Sequence, residues 1–176
     1  MILPITTPTP SYPSTTPTTT SQEGIQFIAR FEHLELNLYD DSAGNCTVGY
    51  GHLVHLGACD ARSSETEFTD GITEQRANDL LAEDLGGTEQ AINSLVTVPL
   101  TQNQYDALAS FVYWSGVGNF YGSDLLTRLN AGKYDAVPEE LNRWVLDSSN
   151  TRQPGLVTRR EQEGALFSNG VYGVGP

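Results

Sequence analysis

The sequence predicts an α+β fold, mainly helical, in which a small β-hairpin lobe is joined by a long helix to a helical lobe. Three observations predict it. Apolar residues recur at helical spacing through most of the chain beyond residue 73, while residues 34–52 switch to strand-like alternation around a Gly/Asn-containing turn. The third is length, since 176 residues can bury one sizeable core; the apolar fraction of 38% is somewhat low because both ends are unlike a folded domain.

Residues 1–21 form a Thr/Pro-rich segment that carries no charge and almost no apolar period. Such a segment cannot bury enough surface to offset its ordering entropy, so it reads as a disordered tail or linker. Ser21 is placed to cap a helix carrying Ile25, Ile28 and Phe31, and Glu32 falls at or just beyond its last turn. Leu34, Leu36 and Leu38 then alternate onto one face of a strand, Ser42 to Asn45 supply a turn, and Cys46 to His52 return as the second strand. Thr73 caps a helix through Ala77, Leu80, Leu81 and Leu85, and its path continues past a strained Gly86-Gly87 pair to Ile92, Leu95 and Val96. Thr101 with Gln104 is a capping-box signature, followed by an apolar stripe of Tyr105, Leu108, Phe111 and Val112. Shorter helices are expected near Asp124–Asn130, Val137–Leu146 and Leu156–Phe167. The folded domain is thus placed at residues 22–168, with residues 169–176 as a flexible C-terminal tail.

Glu32, Asp41 and Thr47 carry the chemistry. Glycosidic cleavage needs one carboxylic acid to protonate the leaving oxygen and a second carboxylate to stabilise the oxocarbenium-like state or hold a water. The predicted hairpin places Asp41 and Thr47 on either side of one turn while Glu32 approaches from the helix end. Acidic residues are common in this chain, so the pair alone would be weak.

The run Glu, eight residues, Asp, five residues, Thr, then Val-Gly-Tyr-Gly-His52, resembles the phage-type lysozymes, the endolysins of glycoside hydrolase family 24. The likeness continues through Leu95 to Tyr113, Leu126 to Gly132, Arg143-Trp144 and Pro154 to Glu161, covering about residues 22–168. It implies a lysozyme-like fold and a muramidase that hydrolyses the β-1,4 bond between N-acetylmuramic acid and N-acetylglucosamine of bacterial peptidoglycan for host cell lysis. Carried over, Glu32 is the general acid, and Asp41 and Thr47 hold or activate the water in an inverting reaction. Inversion needs carboxyl groups about 6.5–9.5 Å apart. Action as an acid near neutral pH calls for a Glu32 proton affinity raised by partial burial, beside an ionised Asp41. The resemblance also implies an arginine beside the acid, either Arg159 or Arg160, and places Tyr113 and Leu53 against the glycan. His52 is read as a structural residue bonded to a neighbouring helix. Trp114, Phe120 and Tyr121 are further candidates for sugar stacking.

Two rival readings accompany this one. A non-catalytic wall-binding or tail-associated domain could keep the fold, and a lytic transglycosylase would use a lone glutamate. Cys46, His52, His55 and Cys59 fall within fourteen residues, but paired Cys-x-x-Cys spacing is absent, so no metal is expected and a Cys46–Cys59 disulfide is favoured over zinc, with free, unpaired thiols as the alternative. No cofactor is required.

The formal net charge of −13 disfavours nucleic-acid partners. Glu65, Glu67, Asp70, Glu74, Asp79, Glu83, Asp84 and Glu89 crowd one region and read as a solvated face. No targeting or membrane-spanning segment is expected. The remaining expectations are a monomer that accumulates in the host cytoplasm, does not insert into membranes, and needs a separate membrane-permeabilising protein to reach the wall.

Overall fold

The computed structural model describes residues 16–147 and 149–173. Eight α-helices and a three-stranded antiparallel sheet are built from them. Helix α1 (Gln22–Ala29) starts where Ser21 Oγ accepts the Gly24 N–H, satisfying a donor that the first helical turn leaves open. It buries Ile25, Phe27 and Ile28 and ends three residues before Glu32.

Strands β1 (Glu35–Asp40), β2 (Cys46–Gly49) and β3 (His52–His55) follow in sequential order. The single hairpin expected is therefore one strand too small. Gly49 and Gly51 both adopt positive φ, which turns the chain within the Val-Gly-Tyr-Gly-His run and starts β3 at His52. The leucine alternation also fails in β1, because the register with β2 shifts between Glu35 and Tyr39 and leaves Leu36 exposed at 37%.

Helices α2 (Glu74–Asp84) and α3 (Gly86–Leu95) follow the expected path, meeting at Leu85. Gly86 and Gly87 form the first turn of α3 rather than a strained break. Helix α4 (Gln102–Ser115) opens on the expected Thr101/Gln104 capping box and is buried at every position from Tyr105 to Val112. It is the central helix, packed on α1, α3, α5 (Val117–Tyr121) and α8 (Pro154–Asn169). Helix α6 spans Asp124–Asn130, and α7 (Val137–Leu141) stops five residues short of the expected end. Beyond it, Leu146 bridges Arg152 across a turn that Asp147 holds by accepting from Ser149, Thr151 and Gln153.

The two ends differ from the tails expected. Residues 1–15 lie outside the described residues, but 16–21 are docked: Thr18 O accepts from Asn93 and Tyr105, Thr19 O from Gln102, and Thr20 N–H donates to Glu89. At the other end, Gly170 caps α8 in the left-handed region. Tyr172 stacks edge-on against Phe27, and Arg30 donates to the carbonyls of Tyr172 and Gly173. Backbone carbonyls, which composition does not reveal, hold both ends. Residues 174–176 lie outside the described residues.

The segment between Gly57 and Gly71 is likewise no simple acidic face. Glu65 is buried and accepts from His55 Nε2, Asp60 N–H and Ala61 N–H, which in that order hold its carboxyl down at about 2. Cys46 and Cys59 are joined in a disulfide that ties this loop to β2. Closing a loop of 13-residue separation restricts the unfolded chain. Reduction is thus expected to lower unfolding stability by about 3 kcal/mol. Urea midpoints with and without dithiothreitol measure it, and equal midpoints would show the bond to be thermodynamically silent.

Candidate active site

Glu32 is set at the cleft by the way α1 ends. Phe31 N–H donates to Ile28 O and Glu32 N–H to Ala29 O, so the chain makes one last turn before entering β1. The Glu32 side chain keeps 24% exposure, and Arg159 Nη1 donates to its Oε1 at 2.8 Å. Arg159 lies over the Phe31 ring and is itself almost fully buried. Its position on α8 thus fixes a cation beside the carboxyl. A cavity of about 880 Å³ opens here, lined by Arg30, Phe31, Glu32, Trp114 and the first turns of α8.

Asp41 and Thr47 occupy the sheet. Asp41 Oδ1 accepts from Ala43 N–H at 2.8 Å and Asn45 N–H at 2.9 Å. These bonds, that from Asn45 first, hold the carboxyl below the ordinary aspartate range, so it is ionised at neutral pH. Thr47 stands opposite Tyr39 on one side and Leu53 on the other. Its hydroxyl donates to Asn45 O at 3.1 Å, which leaves oxygen lone pairs to accept, although Thr47 is only 2% exposed. Asn45 therefore organises both groups. Nothing in the residue spacing singled it out beyond its place in the turn.

Tyr113 lies within electrostatic reach of both sides, although neither it nor Asp41 and Thr47 line the cavity beside Glu32. Burial first, and then the charge of Glu32, push its hydroxyl up to about 12, with Asp84, Arg159 and Tyr39 also within electrostatic reach. Tyr39 in turn feels Asp41. Tyr113 is half-buried on α4, whereas Leu53 is 49% exposed on β3. Phe120 is core rather than groove, and Tyr121 projects beside α3, far from this constellation in the fold. Trp114 lines the cavity, with one face covered by Arg160.

Of the two arginines expected near the acid, only Arg159 reaches it. Arg160 is fully buried between Phe111 and Trp114, and its Nη2 donates to Glu163. The 100° step of a helix sends adjacent residues to different faces. Glu163 escaped the sequence reading, although its spacing of four and three from the two arginines is an ion-pair signal. Of the four-residue Cys/His constellation, both sulfurs are in the disulfide, His55 stays beside Cys46 and faces Glu65, and His52 turns away to α2.

His52 Nδ1 lies 2.9 Å from Asp84 on α2, joining the sheet to that helix. The Asp84 bond raises the histidine pKa above its ordinary value against a smaller effect of burial. A raised folded pKa means that the stabilisation is fully present below the unfolded value of about 6.5 and fades as pH rises through the folded value. His52→Gln is expected to cost about 1–2 kcal/mol at pH 5.5 and much less at pH 9. Urea unfolding of both proteins at the two pH values tests this; a difference that grows with pH would reverse the assignment.

The description "Phage lysozyme" belongs to the family model that matches residues 29–163. An endolysin of Acyrthosiphon pisum secondary endosymbiont phage 1 is 38% identical over 152 residues, covering 85% of this chain and 97% of that relative. An endolysin of Bacillus phage PZA is also 38% identical, over 86% of this chain, but the chain spans only 55% of that protein. Among solved structures, a point mutant of the P22 lysozyme superposes with a TM-score of 0.72 at 39% identity, covering 85% of this chain and 97% of that one. With Glu32, Asp41 and Thr47 all inside the matched span, the chain belongs to the phage lysozyme family.

Proposed function

We propose that this protein hydrolyses the β-1,4 bond between N-acetylmuramic acid and N-acetylglucosamine in bacterial peptidoglycan with inversion at the anomeric carbon. Glu32 gives its proton to the leaving glycosidic oxygen. A water enters from the opposite face, donating its hydrogens to Asp41 and the Thr47 oxygen and thereby directing a lone pair at the anomeric carbon. The observation that carries this reading is the commitment of the Thr47 proton to Asn45, because a hydroxyl so fixed can only accept from the water. Leu53, opposite Thr47 on β3, and Tyr113 flank the bound sugar.

Mass analysis of digested peptidoglycan tests the reaction class: hydrolysis leaves reducing muramic acid ends, and anhydro-muramyl ends would make the enzyme a transglycosylase. Proton NMR of the first product tests the stereochemistry. An α-anomer is expected, and a β-anomer would overturn inversion.

The protein acts as a monomer on the wall from within the host. Among the described residues no helix is long and apolar enough to cross a membrane. We infer that passage from the cytoplasm falls to a separate permeabilising protein. With a net charge of −13, encounter with anionic wall polymers is repulsive in dilute buffer. Clearing of permeabilised cells is expected to rise towards about 0.15 M salt, where the Debye length is about 8 Å. A steep fall over that range would argue against the repulsion.

A further inference from the structure

Behind the acid lies a buried charge network larger than the proposed reaction uses. Arg159 divides its donors: Nη1 goes to Glu32 at 2.8 Å, Nε to Glu163 at 3.2 Å, and Nη2 to Ser110 O at 3.2 Å. Glu163 Oε1 also accepts from Ser110 Oγ at 2.6 Å and Arg160 Nη2 at 2.9 Å. Glu163 and Arg160 are fully buried and Arg159 nearly so, so water screens these charges little. Glu163 Oε2 has no partner among the described residues. A carboxylate in such a place is costly and needs the arginines as much as they need it.

We propose that Glu163 is a positioning residue for Glu32: it grips one edge of Arg159 so that only Nη1 reaches the acid, and it shares the positive charge of Arg159 between two carboxylates. This inference rests on Glu32 being the acid. Two arginines face two glutamates in this network, and removing the Glu163 charge would leave an unmatched cation directly behind Glu32. An unshared cation stabilises the ionised form of a neighbouring carboxyl, and ionised Glu32 cannot protonate a leaving group.

The other charges packed around the network are already engaged. On α7, Glu140 is paired with Arg128 and Arg143. In the following turn, Asp147 holds Ser149, Thr151 and Gln153. On α1's exit, Arg30 is bound to the carbonyls of Tyr172 and Gly173. From α4 the network meets Ser110, Tyr113 and the rings of Phe111 and Trp114, and Asp84 and Tyr39 lie within electrostatic reach of Tyr113. Burial outweighs the pull of both arginines and leaves the Glu163 carboxyl raised above its ordinary range. Glu163 therefore influences Glu32 only if it is ionised at working pH, and this exposes the proposal to test.

The experiment is the pH profile of kcat/KM on a soluble peptidoglycan fragment for wild type, Glu163→Gln and Ser110→Ala, with thermal melts as a folding control. In Glu163→Gln the alkaline limb, which reports loss of the acid's proton, is expected to move down by about 0.5–1 pH unit. Ser110→Ala, which removes a donor that helps hold Glu163 ionised, should move it the same way by less; this variant decides the matter if Glu163→Gln does not fold. A merely structural role would lower the amplitude or melting temperature and leave the limb in place. A limb that stays put or moves up in a folded variant overturns the proposal. Failure of the underlying reading is separate, because Glu32→Gln would then retain activity whatever Glu163 does.

Discussion

Glu32→Gln is expected to lower turnover on peptidoglycan by about 10²–10⁴-fold with little change in KM. Glutamine keeps the shape of the side chain and an oxygen for Arg159 Nη1, but it has no acidic proton for the leaving oxygen. Because the lost interaction is made only in the transition state, the loss falls on kcat. Arg159 retains Glu163 and Ser110 as partners, so the fold is expected to survive within about 1 kcal/mol. The prediction is therefore an inactive but folded protein. Clearing of permeabilised cells and a urea unfolding curve on the same preparation check both halves. Activity within tenfold of wild type would remove Glu32 from the donor role, while joint loss of activity and folding would point to a structural carboxylate.

The sequence revealed what is local. Ser21, Thr73 and Thr101 cap helices because a cap needs only a donor three residues away, and each is found capping where it was expected. The turn between Asp41 and Thr47 was readable for the same reason, since Asp41, Asn45 and Thr47 bond one another within six residues. What stayed hidden is set by partners far along the chain. Glu65 looks like one more member of an acidic run until the disulfide folds residues 57–71 back and three donors converge on it. Arg159 and Arg160 are neighbours that a sequence cannot rank, because the packing of α8 on α4 decides which one faces Glu32. Residues 16–21 look like linker because serines and threonines have no apolar period, yet their backbone groups meet α3 and α4 at separations of 69 to 87 residues.

Asp106 is the clearest of these hidden partners, and its loss is expected to lower stability as much as reduction of the disulfide. It lies in the middle of α4, fully buried, where the apolar stripe leaves no reason to expect a carboxylate. Its Oδ1 accepts from Ser21 N–H and Gln102 Nε2, both at 2.9 Å, and its Oδ2 from Ser21 Oγ at 2.5 Å and Tyr172 Oη at 2.6 Å. One side chain thus joins the start of α1, the central helix and the C-terminal segment. The approach is so close that a Cβ at Gly24 would stand 2.5 Å from Asp106 Cγ, so only glycine fits there. Asp106→Ala strands several buried donors, and hydrogen bonds to a charged acceptor contribute about 1.5–3 kcal/mol each. Since the terminal donors can turn to water, a net loss of about 3 kcal/mol is expected. Urea unfolding should show a lower midpoint at unchanged slope, and limited proteolysis should trim both ends faster than in wild type. Unchanged trimming would mean that Thr18 and Thr19 hold the N-terminal segment through Asn93, Gln102 and Tyr105 without it. Because α1 begins at the Asp106 anchor and Glu32 follows its far end, loosening at Asp106 should reduce activity as temperature nears the melting transition while leaving it intact in the cold.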